Sequence, residues 1–152
     1  MIMAEFEFRL QSFLSLKEKL EDQRRLEYGR AMAALERERK KEAVLIKEKE
    51  DTIDEFTKMV QTKIEPEKFT MLNIYIEIVK EKLVEQKKVV AEAERFAEEK
   101  RIVLVEAMRE KETLQRLKEK DYEEFLVEEK RLEQRAVDEI VSYKYANEAS
   151  LE

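Results

Sequence analysis

Glycine and proline each occur once in these 152 residues, and cysteine and histidine do not occur at all. Turns and loops draw on glycine and proline, so a chain this poor in both has few turns. Without cysteine there is no disulfide framework, and without Cys or His there is no Cys/His metal cluster. No apolar run approaches the ~20 residues of a membrane span, which leaves only a peripheral or partner-mediated membrane role and no direct insertion. The opening "MIMAEFEFRLQSF" is too acidic, and its apolar run too short, for a secretory signal. The motifs HExxH, GxxxxGK[ST], GxSxG and GxGxxG are all missing, which argues against a nucleotide-hydrolysing or hydrolytic centre.

What is present is charge and helix-forming side chains. Charged residues make up 45% of the chain and apolar residues 43%. This is close to the composition of a long helix or coiled coil, and the regularly placed Leu, Ile, Val and Phe separate it from a disordered polyampholyte. The net charge of −6 disfavours nucleic acid as a partner. The basic cluster "RERKK" at 37–41 is surrounded by Glu36, Glu38 and Glu42, so it reads as a solvated mixed-charge face. Carboxylates three or four residues apart recur, as in "EQRAVDE". Acid–base catalysis also needs a pocket that shifts their pKa values, and a thin pair of helices has little interior to supply one. These residues are expected to pair with Lys and Arg along the helix surface, and the chain is expected to be no enzyme and to need no cofactor.

Two apolar patterns divide the chain. The first runs through Phe6, Leu10, Phe13, Leu20, Tyr28, Met32, Leu35, Ile46, Ile53, Phe56 and Val60, with Arg39, Glu42 and Lys49 interrupting it, and predicts a helix over about 5–62. In the second, Phe69, Ile76, Leu83, Val90, Ala97 and Leu104 repeat every seventh residue, with Leu72, Val79 and Ala93 as companions. Tyr122, Phe125, Leu132, Ala136, Ile140 and Tyr143 extend it, predicting a helix over about 66–143 with "ANEASLE" frayed.

Pro66 lies between the two patterns. Inside a helix it would cost about 3 kcal/mol, whereas at a first helical position its missing N–H costs nothing. Thr62 and Glu65 also have the spacing of a capping box. An antiparallel hairpin, which buries one stripe against the other, is therefore favoured over a continuous or oligomeric rod. The expected fold is all-α: a single two-helix coiled-coil domain over 1–152 with its turn at about 63–66. A turn there pairs residue i with about 128 − i, and the first helix then runs out opposite residues 118–124. The stretch from Phe125 to Tyr143 overhangs by about 30 Å with an unpaired apolar stripe, which makes it the binding candidate by geometry.

The segment "VEAMREKETLQRLKEKDYEEFLVEEKRLEQRAVDEI", 105–140, resembles the carboxy-terminal block of the FliJ flagellar export protein family. The matching features are Ala107, Arg109, Lys111, Leu114, Leu117, Lys118, Glu119, Lys120, Tyr122, Glu129, Asp138 and Glu139. "FEFRLQSFLSLKEKLEDQ", 6–23, is similar to the family's amino terminus. The resemblance implies a cytoplasmic, stalk-like antiparallel coiled coil, held peripherally at the inner membrane through its partners. Those partners would be the hexameric flagellar export ATPase, the export gate protein and substrate-specific export chaperones. Tyr75 and Val79 match an aromatic and an aliphatic position of the family's gate-contact surface near the turn. Tyr122, Phe125, Leu132, Ile140 and Tyr143 are then expected to dock in the ATPase ring, with Arg109, Lys111, Lys118 and Lys120 as polar contacts. The alternatives are a general coiled-coil scaffold or secretion chaperone outside flagella, a rotary-ATPase stalk subunit, and an enzyme in a helical bundle.

Overall fold

The computed structural model describes residues 4–151 and contains two helices, α1 (Gln11–Thr62) and α2 (Pro66–Ser150), which pack against each other as an antiparallel hairpin. The residues 63–65 are all that joins them. Pro66 is the first residue of α2, and the Phe69 N–H donates to the Glu65 carbonyl at 2.9 Å, so Glu65 is the residue that caps α2. No capping box forms. Thr62 belongs to α1, and its hydroxyl donates to the Lys58 carbonyl at 2.9 Å.

The seam on α2 is the heptad read from the sequence. The Phe69 and Leu72 series are buried or half-buried at every step as far as Phe125 and Asp121, with Gln86 and Lys100 included. The seam on α1 differs from expectation. It follows Leu14, Glu21, Tyr28, Leu35, Glu42, Lys49 and Phe56, with Lys17, Arg24, Ala31, Glu38, Leu45, Thr52 and Met59 beside them. Met32, Ile46, Ile53 and Val60 lie one position further round and are 38–52% exposed, and Phe13 is 48% exposed where its neighbour Leu14 is 2%. The cause is the small and polar residues that α2 accepts. Ala31 and Leu35 close on Val90, Ala93 and Ala97, an approach that a bulkier residue at 31 would block. Gly29 has open space where a Cβ would stand, so the patch "GRAMAAL" contributes its alanines and not its glycine to the packing.

Contacts group the chain into two compact units. In the unit Asp22–Glu106, Gln86 donates from Nε2 to the Glu38 carbonyl at 2.9 Å and to the Glu38 carboxylate at 2.7 Å. Arg39 pairs with Glu94 at 3.2 Å, and the Phe56 and Phe69 rings meet at 4.9 Å beside the turn. The other unit takes the chain up to Glu21 and again from Ala107. There Phe8, Leu14 and Leu114 form a core, Lys17 pairs with Glu110 at 2.7 Å, and the buried Glu21 pairs with Lys111. All these pairs stay within a few residues of i and 128 − i, and the polar ones hold the register, because a slip would leave a buried charge unpaired.

The Gln86 hydrogen bond is the largest cause holding the Glu38 carboxyl below its ordinary value near 4.5, against an opposing effect of burial. A lowered folded-state value means that the contribution is present above the ordinary value and is lost as pH falls through the lower one. Glu38→Gln should therefore lose less thermal stability than the parent between pH 6 and pH 3. Equal acid-induced losses in Tm would show that this carboxylate contributes nothing to the acid limb.

Both outer helix boundaries differ from the sequence reading. Residues 4–10 are not helical, and α1 starts at Gln11, whose N–H donates to the Phe8 carbonyl at 3.0 Å. Phe6, Phe8 and Leu10 alternate with Glu7 and Arg9. On a helix, Phe6 and Phe8 would point about 200° apart, whereas the non-helical segment, with a turn at Arg9 and Leu10, brings all three into one cluster with Leu14 and Leu114. At the other end α2 continues past Tyr143 to Ser150, so "ANEAS" is helical and not frayed; Glu152 lies outside the described residues. No glycine or proline interrupts this stretch, and its Ala and Glu favour the helix.

Candidate partner-docking site

The docking candidate is built from the last part of α2. Opposite Gln11, Lys118 donates to the Gln11 side-chain oxygen at 2.7 Å, and Tyr122 and Phe125 then meet the ring of Phe6 at centroid distances of 5.2 and 5.5 Å. Past Phe125 the large apolar side chains of α2 are exposed. Leu132 is exposed, and Ile140 and Tyr143 are 61% and 69% exposed. Ala136, Ile140, Tyr143 and Leu151 line one open groove of about 690 Å³, with Lys144 and Glu148 at its edge. Val137, Val141 and Tyr145 are also exposed and widen the apolar arc to more than half the circumference. These three lie outside the one-sided stripe that the sequence predicts. The signal for Val137 and Val141 is the two extra apolar positions in "AVDEIVSY", and for Tyr145 the second aromatic just beyond it.

The basic candidates divide. Lys111 and Lys118 are half-buried in the seam and paired with Glu21 and Gln11, so they serve the hairpin. Arg109 and Lys120 are exposed and carry no side-chain ion pair among the described residues. Tyr75 is exposed and lies with Met71, Ile74 and Ile78 along an apolar groove of about 440 Å³. Val79 is corrected as a contact residue: it is 1% exposed, one of the two most deeply buried large side chains, and no partner reaches it while the hairpin is closed.

The sequence profile described as "Flagellar FliJ protein" matches residues 6–150. The chain belongs to the FliJ family. In solved structures, a putative YscO homolog from Chlamydia trachomatis superposes with a TM-score of 0.68 at 20% identity, over 97% of this chain and 100% of that one. That likeness is one of fold. Comparison with curated protein sequences gives no match. FliJ is a non-catalytic component of type III export, and this FliJ-family chain has an export-related role. Among its described residues no helix is long and apolar enough to cross a membrane.

Proposed function

We propose that this chain is the stalk-like component of a flagellar export apparatus. The overhang of α2 docks in the ring of the export ATPase, the Tyr75 face meets the export gate, and substrate chaperones are further partners. The chain works in the cytoplasm, and its partners hold it at the inner membrane. The observation that supports this reading most is the overhang: more than four turns of helix whose large apolar residues are exposed among the described residues. A helix apolar over more than half its circumference fits an enclosing socket better than a flat surface, and a ring lumen is such a socket. Arg109 and Lys120, exposed on the paired stretch of α2 ahead of the overhang, would meet acidic groups on the ring. The chain supplies position and coupling, and the ATPase supplies the chemistry.

Pull-down with the chain from a motile bacterium should recover the export ATPase, and its absence from the recovered material would defeat the reading. The gate arm has its own test. Tyr75→Ala removes an exposed ring that supports no core residue, so binding to the gate protein should fall about tenfold while ATPase binding stays at the parent level. Equal losses for both partners would show that Tyr75 does not mark a separate surface.

A further inference from the structure

The non-helical segment before α1 lies on the surface to which docking is assigned. Phe6 stands edge-on to Tyr122 at 65° and tilts over Phe125, and the Tyr122 and Phe125 rings lie 6.4 Å apart, so three aromatic rings form one cluster. Tyr122 and Phe125 are the first rung of the stripe that continues through Leu132, Ile140 and Tyr143. Phe6 therefore closes the end of that stripe nearest the hairpin and leaves the rest open.

We propose that residues 4–10 are a displaceable strap, with which the chain covers the first rung of its own docking stripe until a partner removes it. The inference rests on the docking reading of the α2 overhang. Three observations support it. The contact is made by rings and not by backbone: between residues 4 and 10 the only carbonyls that accept backbone hydrogen bonds are those of Phe8 and Leu10, both from α1 itself. Release of Phe6 therefore breaks no ladder and orphans no paired backbone group. The strap is also anchored unevenly. Phe8 is buried with Leu14 and Leu114, while Phe6 only rests against that core, so Phe6 can leave with Phe8 still seated. Finally, the strap imitates what a partner would bring, an apolar side chain next to an acidic one: Phe6 and Glu7 border the same cleft as Lys118. A partner that replaces it offers an apolar anchor with a carboxylate next to it.

Affinity of the full chain for the cognate export ATPase tests this with three changes. Phe6→Ala empties the rung and should bind about three- to tenfold tighter, the scale of one aromatic contact no longer displaced. Glu7→Cys/Lys118→Cys, closed by a short bis-maleimide, holds the strap down and should bind at least about tenfold more weakly than the same chain unbridged. The bridge is unique because the chain has no cysteine of its own, and Glu7 and Lys118 border the same cleft. Phe6→Leu keeps an apolar side chain without the ring and should fall between parent and Phe6→Ala, which guards against a folding defect in the alanine variant. Parent-like affinity in both the bridged chain and Phe6→Ala overturns the strap, and weaker binding by a fully helical Phe6→Ala makes the segment part of the interface instead. Ile140→Asp/Tyr143→Asp separates the two levels. If it leaves affinity unchanged, the docking reading fails and the strap with it; if it abolishes binding while the strap variants match the parent, only the strap falls.

Discussion

Ile140→Asp/Tyr143→Asp should retain the parent's helicity and melting behaviour and lose affinity for the export ATPase by at least about a hundredfold. The first half follows from exposure. Both side chains are more than half exposed and lie outside the buried core of the described residues, and exposed substitutions of this kind stay within ~0.5 kcal/mol. The second half follows from what docking would bury. Taking a large apolar side chain out of water is worth about 1.5–3 kcal/mol, and two lost together exceed the ~2.7 kcal/mol of a hundredfold change even after some loss to side-chain ordering. The added carboxylates increase the penalty, because a desolvated socket offers them no partner. Titration calorimetry reads the affinity and circular dichroism the helicity. Unchanged affinity would remove the overhang from the interface.

The second large effect concerns folding. Val79→Asp should cost about 3 kcal/mol or more and lower the thermal midpoint by about 10 °C, because it replaces a packed apolar side chain, 1% exposed, by a carboxylate that must be desolvated in the seam. Gate and ATPase binding should then fall together under conditions where the variant is partly unfolded. Tyr75→Ala, four residues away and on the outside, should leave the midpoint within about 2 °C. An unchanged midpoint for Val79→Asp would mean that the seam opens at this level.

The turn and the α2 seam from Phe69 to Leu104 are legible in the sequence because one strong signal governs each. Pro66 has a single low-cost place at a helix start, and α2 repeats an apolar residue every seventh position through eight turns or more. The α1 seam is not legible in the same way. Its register is set by Ala31, Glu38, Thr52 and the stems of Lys17 and Lys49, none of which a search for large apolar residues selects. Met32, Ile46, Ile53 and Val60 repeat at seven just as well and lie one residue away. What separates the two series is the other helix: Gln86 needs Glu38, and Ala97 needs a small residue opposite. The amino-terminal segment is a different failure. "FEFRL" alternates strictly with period two, and the signal was masked by the helical spacing of Leu10, Phe13 and Leu20. At the site, the stripe from Tyr122 to Tyr143 is readable as a pattern and Val79 already belongs to the apolar repeat, whereas the seam roles of Lys111 and Lys118 depend on which residues of α1 lie opposite them.

An α-helix that nothing covers is also a slow clock set to run fast. Past Phe125 the amides of α2 are held only by their own turns, and isolated helical turns open readily, while opening the paired stretch beside Leu114 requires parting two helices. Deuterium should therefore enter residues 130–150 well before residues 104–118. Once a partner encloses the overhang, the boundary between quick and slow uptake should move toward the carboxy terminus by as many residues as the partner covers. The uncovered helix thus carries its own scale, and the depth of insertion can be read one amide at a time.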